Sequence, residues 1–104
     1  MNGEIKQEWV DALRSENYEQ DTGSLRTKGD LFCCLGVLCD IVDRSGWHSA
    51  MESWRYAWDG DTALLPERVH VVSGLSHVEA EILMGMNDNR ASFKEIADYI
   101  EKNL

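Results

Sequence analysis

Leu31-Phe32-Cys33-Cys34-Leu35-Gly36-Val37-Leu38-Cys39-Asp40-Ile41-Val42 is the most apolar stretch of the chain, and its reading decides the fold. Periodicity cannot separate a buried helix from a buried strand in an unbroken apolar run, so length and flanks must arbitrate. The run is longer than an ordinary strand, and Asp40, Asp43 and Arg44 lead into Gly46 as a helix end would. The expectation is a central buried helix over Leu31–Val42, capped by Asp30. Gly36 in its middle costs about 1 kcal/mol against alanine, which implies another helix packed close to it.

Upstream, Ile5, Trp9, Val10, Ala12 and Leu13 share one side of a helix that should end near Ser15 to Asn17. Tyr18 to Arg26 offers two short extended pieces around Gly23, a hairpin signal. Downstream, Pro66 fits the first position of a short helix, Glu67 to Ser73, closed by Gly74. Ser76 with Glu79, and Ser92 with Glu95, spell two capping boxes. The first opens a helix through Met86, and the second opens a C-terminal helix burying Phe93, Ile96, Ala97, Ile100 and Leu104. The fold class is α+β and predominantly helical. The N- and C-terminal helices should pack on the central one beside one or two short β-hairpins, in a single domain over residues 1–104.

Residues 47–58 admit two readings. Trp47, Met51, Trp54 and Trp58 form a helical stripe, while Trp54, Tyr56 and Trp58 alternate as a strand turning back at Asp59-Gly60 into Thr62 to Leu65. The Asp-Gly pair and the aromatics tilt the reading to the hairpin.

Nineteen acidic against ten basic residues give a net charge of -9, which would repel nucleic acid and anionic membranes and favour protein partners with basic surfaces. No apolar run approaches the ~20 residues of a membrane span. The N-terminus lacks the basic and apolar regions of a signal peptide, so a cytoplasmic location with reduced cysteines is expected.

Cys33, Cys34 and Cys39 lack the paired spacing of a zinc site, and an apolar run should hold their thiols protonated. His48, His70 and His77 are scattered outside acid–base motifs and read as surface or capping residues. Phosphate-cradling and dinucleotide motifs are absent. Residues 92–100 look like the first helix of a helix-turn-helix, but no recognition helix follows before Leu104. These readings point away from an enzyme, a cofactor or a metal, and no catalytic residue is assigned.

The residue types that dominate binding hot spots, Trp47, Trp54, Arg55, Tyr56 and Trp58, are the candidate partner-binding residues, set against the competing reading that they are core. A nucleotide-sequestering protein using Arg55, Arg68 or Arg90 is the alternative, and would call for a pocket built at a homo-oligomer interface. A thiol-dependent enzyme is a third reading, disfavoured by the burial of the cysteines.

The Trp9 to Ser15 segment, Tyr18, Gln20, Gly23 and Leu25, and the Cys33-Cys34-Leu35-Gly36-Val37-Leu38-Cys39-Asp40 core resemble a group of small phage- and prophage-encoded proteins. Leu65 to Val69, Met86-Asn87-Asp88 and Ser92 to Glu101 extend the likeness over most of the chain. The resemblance implies an accessory protein of the bacterial host cytoplasm that binds a host or phage protein, in the manner of an anti-defence inhibitor. It assigns no activity or catalytic residues.

Two substitutions separate core from surface. Leu38→Ala should cost ~2 to 5 kcal/mol of unfolding free energy in urea titration, through lost transfer energy and a cavity. Trp54→Ala should leave the melting point within a few degrees; a loss equal to that of Leu38→Ala would place the aromatic segment in the core.

Overall fold

The computed structural model describes residues 1–51 and 54–104. In chain order they form α1 (Gly3–Arg14), β1 (Glu19–Gln20), β2 (Leu31–Phe32), α2 (Cys34–Val42), a 3-10 turn (Arg44–Gly46), β3 (Trp47–Ser49), β4 (Tyr56–Trp58), α3 (Glu67–Ser73), α4 (His77–Asp88) and α5 (Phe93–Asn103). The predominantly helical α+β class expected from sequence is observed. α2 is buried from Cys34 through Asp40 and lies at the centre of the core. α1 packs on it, α3 and α4 flank it, and α5 lies chiefly along α1.

The central helix starts at Cys34, not at Leu31. Leu31 and Phe32 are extended and pair in parallel with Glu19 and Gln20. Extended backbone at Cys33 makes it the N-cap, and its sulfur accepts from the Gly36 N–H at 3.4 Å. Asp30 therefore does not cap the helix. It turns the chain in the left-handed region (φ 59°), and its carboxylate accepts from Arg26 at 2.7 Å. The hairpin read across Gly23 does not form either, because β1 finds its partner in β2 and leaves Ser24 to Lys28 to follow other contacts.

Those contacts explain Gly36. A Cβ there would overlap the Leu25 carbonyl oxygen and come within 2.6 Å of its carbon, so the close neighbour is an irregular backbone segment, not the expected helix. Leu25 is fully buried, and its N–H donates to the Thr62 carbonyl at 2.8 Å.

Both capping boxes form as read. Ser76 and Glu79 exchange hydrogen bonds of 2.9 and 3.0 Å, and Ser92 and Glu95 bonds of 3.0 and 3.1 Å. α4 runs on to Asp88, which brings Asn87 into the core. The Asn87 carbonyl oxygen accepts from the Cys34 N–H (3.1 Å) and Gln20 Nε2 (3.0 Å), and its amide donates to the Asp21 carbonyl (2.8 Å). Gln20 in turn donates to the Ala91 carbonyl and accepts from the Phe93 N–H. Buried Asn87 and half-buried Gln20 thus join β1, α2, α4 and the start of α5.

Gly36→Ala should destabilise the protein by about 3 kcal/mol or more, although alanine is the better helix former by about 1 kcal/mol. Urea unfolding measures it, and a neutral or stabilising result would show that Leu25 does not hold its place against α2.

Candidate functional site

Residues 47–58 are two strands and not a helical stripe; Glu52 and Ser53, between them, lie outside the described residues. β3 and β4 pair antiparallel, with Trp47 opposite Trp58 and Ser49 opposite Tyr56. Asp59 and Gly60 do make a tight turn, both with positive φ (50° and 84°), closed by Trp58 and Asp61 exchanging backbone hydrogen bonds. That turn is not extended by Thr62 to Leu65 as a strand, because Thr62 turns to Leu25. On its other edge β4 meets Arg26 to Lys28: the Tyr56 N–H donates to the Arg26 carbonyl and the Lys28 N–H to the Trp54 carbonyl, each at 2.9 Å.

This register brings cations onto aromatic faces. The Arg26 guanidinium lies 4.5 Å from the Tyr56 ring centre, 5.2 Å from Phe32 and 5.5 Å from Trp47. The Lys28 ammonium is also 4.5 Å from Tyr56, and Arg55 is 4.8 Å from Trp54. Tyr18, Phe32, Trp47 and Tyr56 follow one another at 4.9, 6.1 and 6.4 Å between ring centres. The inner end of this row is anchored on Asp40, a buried carboxylate accepting from the Tyr18 hydroxyl (2.6 Å) and Trp47 Nε1 (3.0 Å) and paired with Arg44 (3.4 Å). Burial, with the Asp40 hydrogen bond second, pushes the Tyr18 hydroxyl above its ordinary range.

The predicted binding residues divide by depth. Trp58 is wholly buried, packs against Gly46 and donates to the Asp43 carbonyl at 3.0 Å, so it is core and is removed from the binding set. Trp47 and Tyr56 are half-buried within the cation–aromatic row, and Arg55 is half-buried beside them. Trp54 is 54% exposed, and Met51 at the same end of the hairpin is fully exposed. Met51, Arg26 and Lys28 belong to this surface and were missed as part of it. Pairing of Arg26 to Lys28 with β4 is long-range and leaves no local signal.

The three arginines of the nucleotide reading have separate surroundings. Arg68 pairs with Asp59 and covers the face of buried Trp58 at 4.4 Å, while Arg90 lines a shallow polar cleft with Gln20, Asp21, Thr22 and Asn87. The expectation of surface histidines holds for His48 and His77, but His70 is buried and stacks on His77 with ring centres 4.0 Å apart. All three cysteines are buried, and the Cys34 thiol donates to the Leu83 carbonyl at 3.6 Å. Among the described residues no three His, Cys, Asp or Glu side chains are placed to hold a metal ion, and no helix is long and apolar enough to cross a membrane.

The chain belongs to the family described as Domain of unknown function (DUF8296), whose model matches residues 1–104. No curated protein and no solved structure matches it.

Desolvation pushes the Cys33 thiol from about 9 up to about 11, and raises Cys34 and Cys39 further. Below about pH 9 both folded and unfolded chains keep these protons, so stability is intact; above it the unfolded chain loses them first and stability falls. Urea titrations should therefore show unfolding free energy falling as the pH rises above about 9, with the Cys33 contribution exhausted by about pH 11, where its folded thiol also ionises. At neutral pH, iodoacetamide should label the native thiols far more slowly than the unfolded ones. Fast labelling of a native cysteine would overturn this account.

Proposed function

We propose that this chain is a phage- or prophage-type accessory protein that acts without catalysis, by binding a host or phage protein in the bacterial cytoplasm. The observation carrying the proposal is the end of the β3–β4 hairpin. There Trp54 and Met51 expose large apolar side chains beside Arg55 and Lys28, on a framework stiffened by the row from Tyr18 to Tyr56. A rigid aromatic beside a guanidinium is the usual make-up of a binding hot spot. The charge of -9 supplies long-range attraction toward a basic partner surface, which speeds encounter, while the hairpin supplies the contact that holds. The resemblance to phage-encoded proteins supports the setting, and countering a host defence is the role that fits it.

The test is quantitative capture from bacterial lysate by the wild-type protein and by Trp54→Ala, with the retained protein identified and its affinity remeasured in purified form. Trp54→Ala should keep its melting point within a few degrees and lose about tenfold or more in affinity, and added salt should slow association. No partner at low salt, or equal retention by both proteins, would overturn the reading.

A further inference from the structure

α3 and α4 enclose a second feature, a cleft of about 330 Å³. Its floor is apolar, built from Leu35, Leu65, Ala80 and Met84, and its rim carries the carboxylates of Asp61, Glu67 and Glu81. None of its lining residues is lysine or arginine. His70 also lines it and is 8% exposed. Its Nδ1 lies 2.8 Å from the Leu75 carbonyl, which can only accept, so the proton of the neutral ring sits on Nδ1. Nε2 is then left with a lone pair, and it has no hydrogen-bond partner among the described residues. His77 stacks over the ring at 4.0 Å and is itself tied to Glu67 at 2.9 Å, which holds both imidazoles in place. The cleft thus offers an apolar trough lined by a buried imidazole with one acceptor nitrogen and bordered by acids. That is the complement of a hydrocarbon stem ending in an ammonium group, which sheds its stem from water while its charge stays with carboxylates.

We propose that this cleft binds an alkylammonium group, and that its occupant is a lysine side chain of the basic protein partner. The second half of that statement rests on the function proposed above; the first does not. The α3–α4 cleft then acts as a second anchor beside the hairpin.

The chemistry is tested on the whole protein with n-butylammonium as probe and 1-butanol as its uncharged counterpart, following the methyl resonances of Ala80 and Met84. Butylammonium should produce saturable shifts, butanol much smaller ones, and Glu81→Gln combined with Asp61→Asn should weaken the ammonium by about fivefold while this double variant stays folded. Equal response to butanol, or ammonium binding indifferent to the two substitutions, overturns the site. Occupancy by a partner lysine predicts that the same double variant also weakens the partner captured through Trp54. If butylammonium binds and capture is unchanged, the cleft is a site for free amines and the lysine assignment falls. If the cleft fails while capture still depends on Trp54, the hairpin reading stands alone.

Discussion

Leu25 sits with its carbonyl where a side chain on residue 36 would be, and much of the molecule hangs from that contact. Because residue 36 is glycine, an irregular backbone segment can lie directly on the central helix. Leu25 is then fully buried and its N–H reaches Thr62, which fixes the chain leading to Leu64 and Leu65, two residues that line the α3–α4 cleft. The next residues, Arg26 to Lys28, are delivered to the open edge of β4, where they hold the hairpin by main-chain hydrogen bonds and place two cations on Tyr56. The hairpin face and the α3–α4 cleft therefore both descend from one close approach in the core.

The segment is held at its other end by polarity. Asn87 and Gln20 are largely withdrawn from water, and each hydrogen bond they make goes to a group that would otherwise be left unpaired: the first N–H of α2, the carbonyl of Asp21, the carbonyl of Ala91 and the first N–H of α5. Losing one member leaves buried donors or acceptors without partners, at about 1 to 3 kcal/mol each. Such a pair contributes less by attraction than by excluding other arrangements of β1 between the two helix starts.

Charge is distributed unevenly around this frame. Arg14 bridges Asp98 and Glu101 and so ties α1 to α5, and its hydrogen bonds to Glu101 and then Asp98 hold its guanidinium firmly protonated. Exposed pairs of this kind contribute little to stability. Arg26, Lys28, Arg44 and Arg55 instead gather around the aromatic row, so a protein of net charge -9 carries a compact cationic–aromatic face. The acidic remainder and this face offer a partner two different chemistries on one small body.

Elements whose signals are local were legible in the sequence. The amphipathic spacing from Ile5 to Leu13 specified α1, the Ser76 and Ser92 boxes specified the starts of α4 and α5, and Asp59-Gly60 specified a tight turn, because each depends on residues within a few positions of one another. The burial of the three cysteines likewise followed from their apolar run. Pairing between distant segments was not legible. Nothing near Leu31 announces that Glu19 will claim it as a strand partner, nothing near Trp58 distinguishes it from exposed Trp54, and nothing near His70 reveals His77 stacked upon it. Propensity and periodicity describe what a segment can do by itself. Which tryptophan is core, which backbone lies on Gly36 and which acids meet at one cleft are set by how the whole chain closes around α2, where burial is shared among segments far apart in sequence.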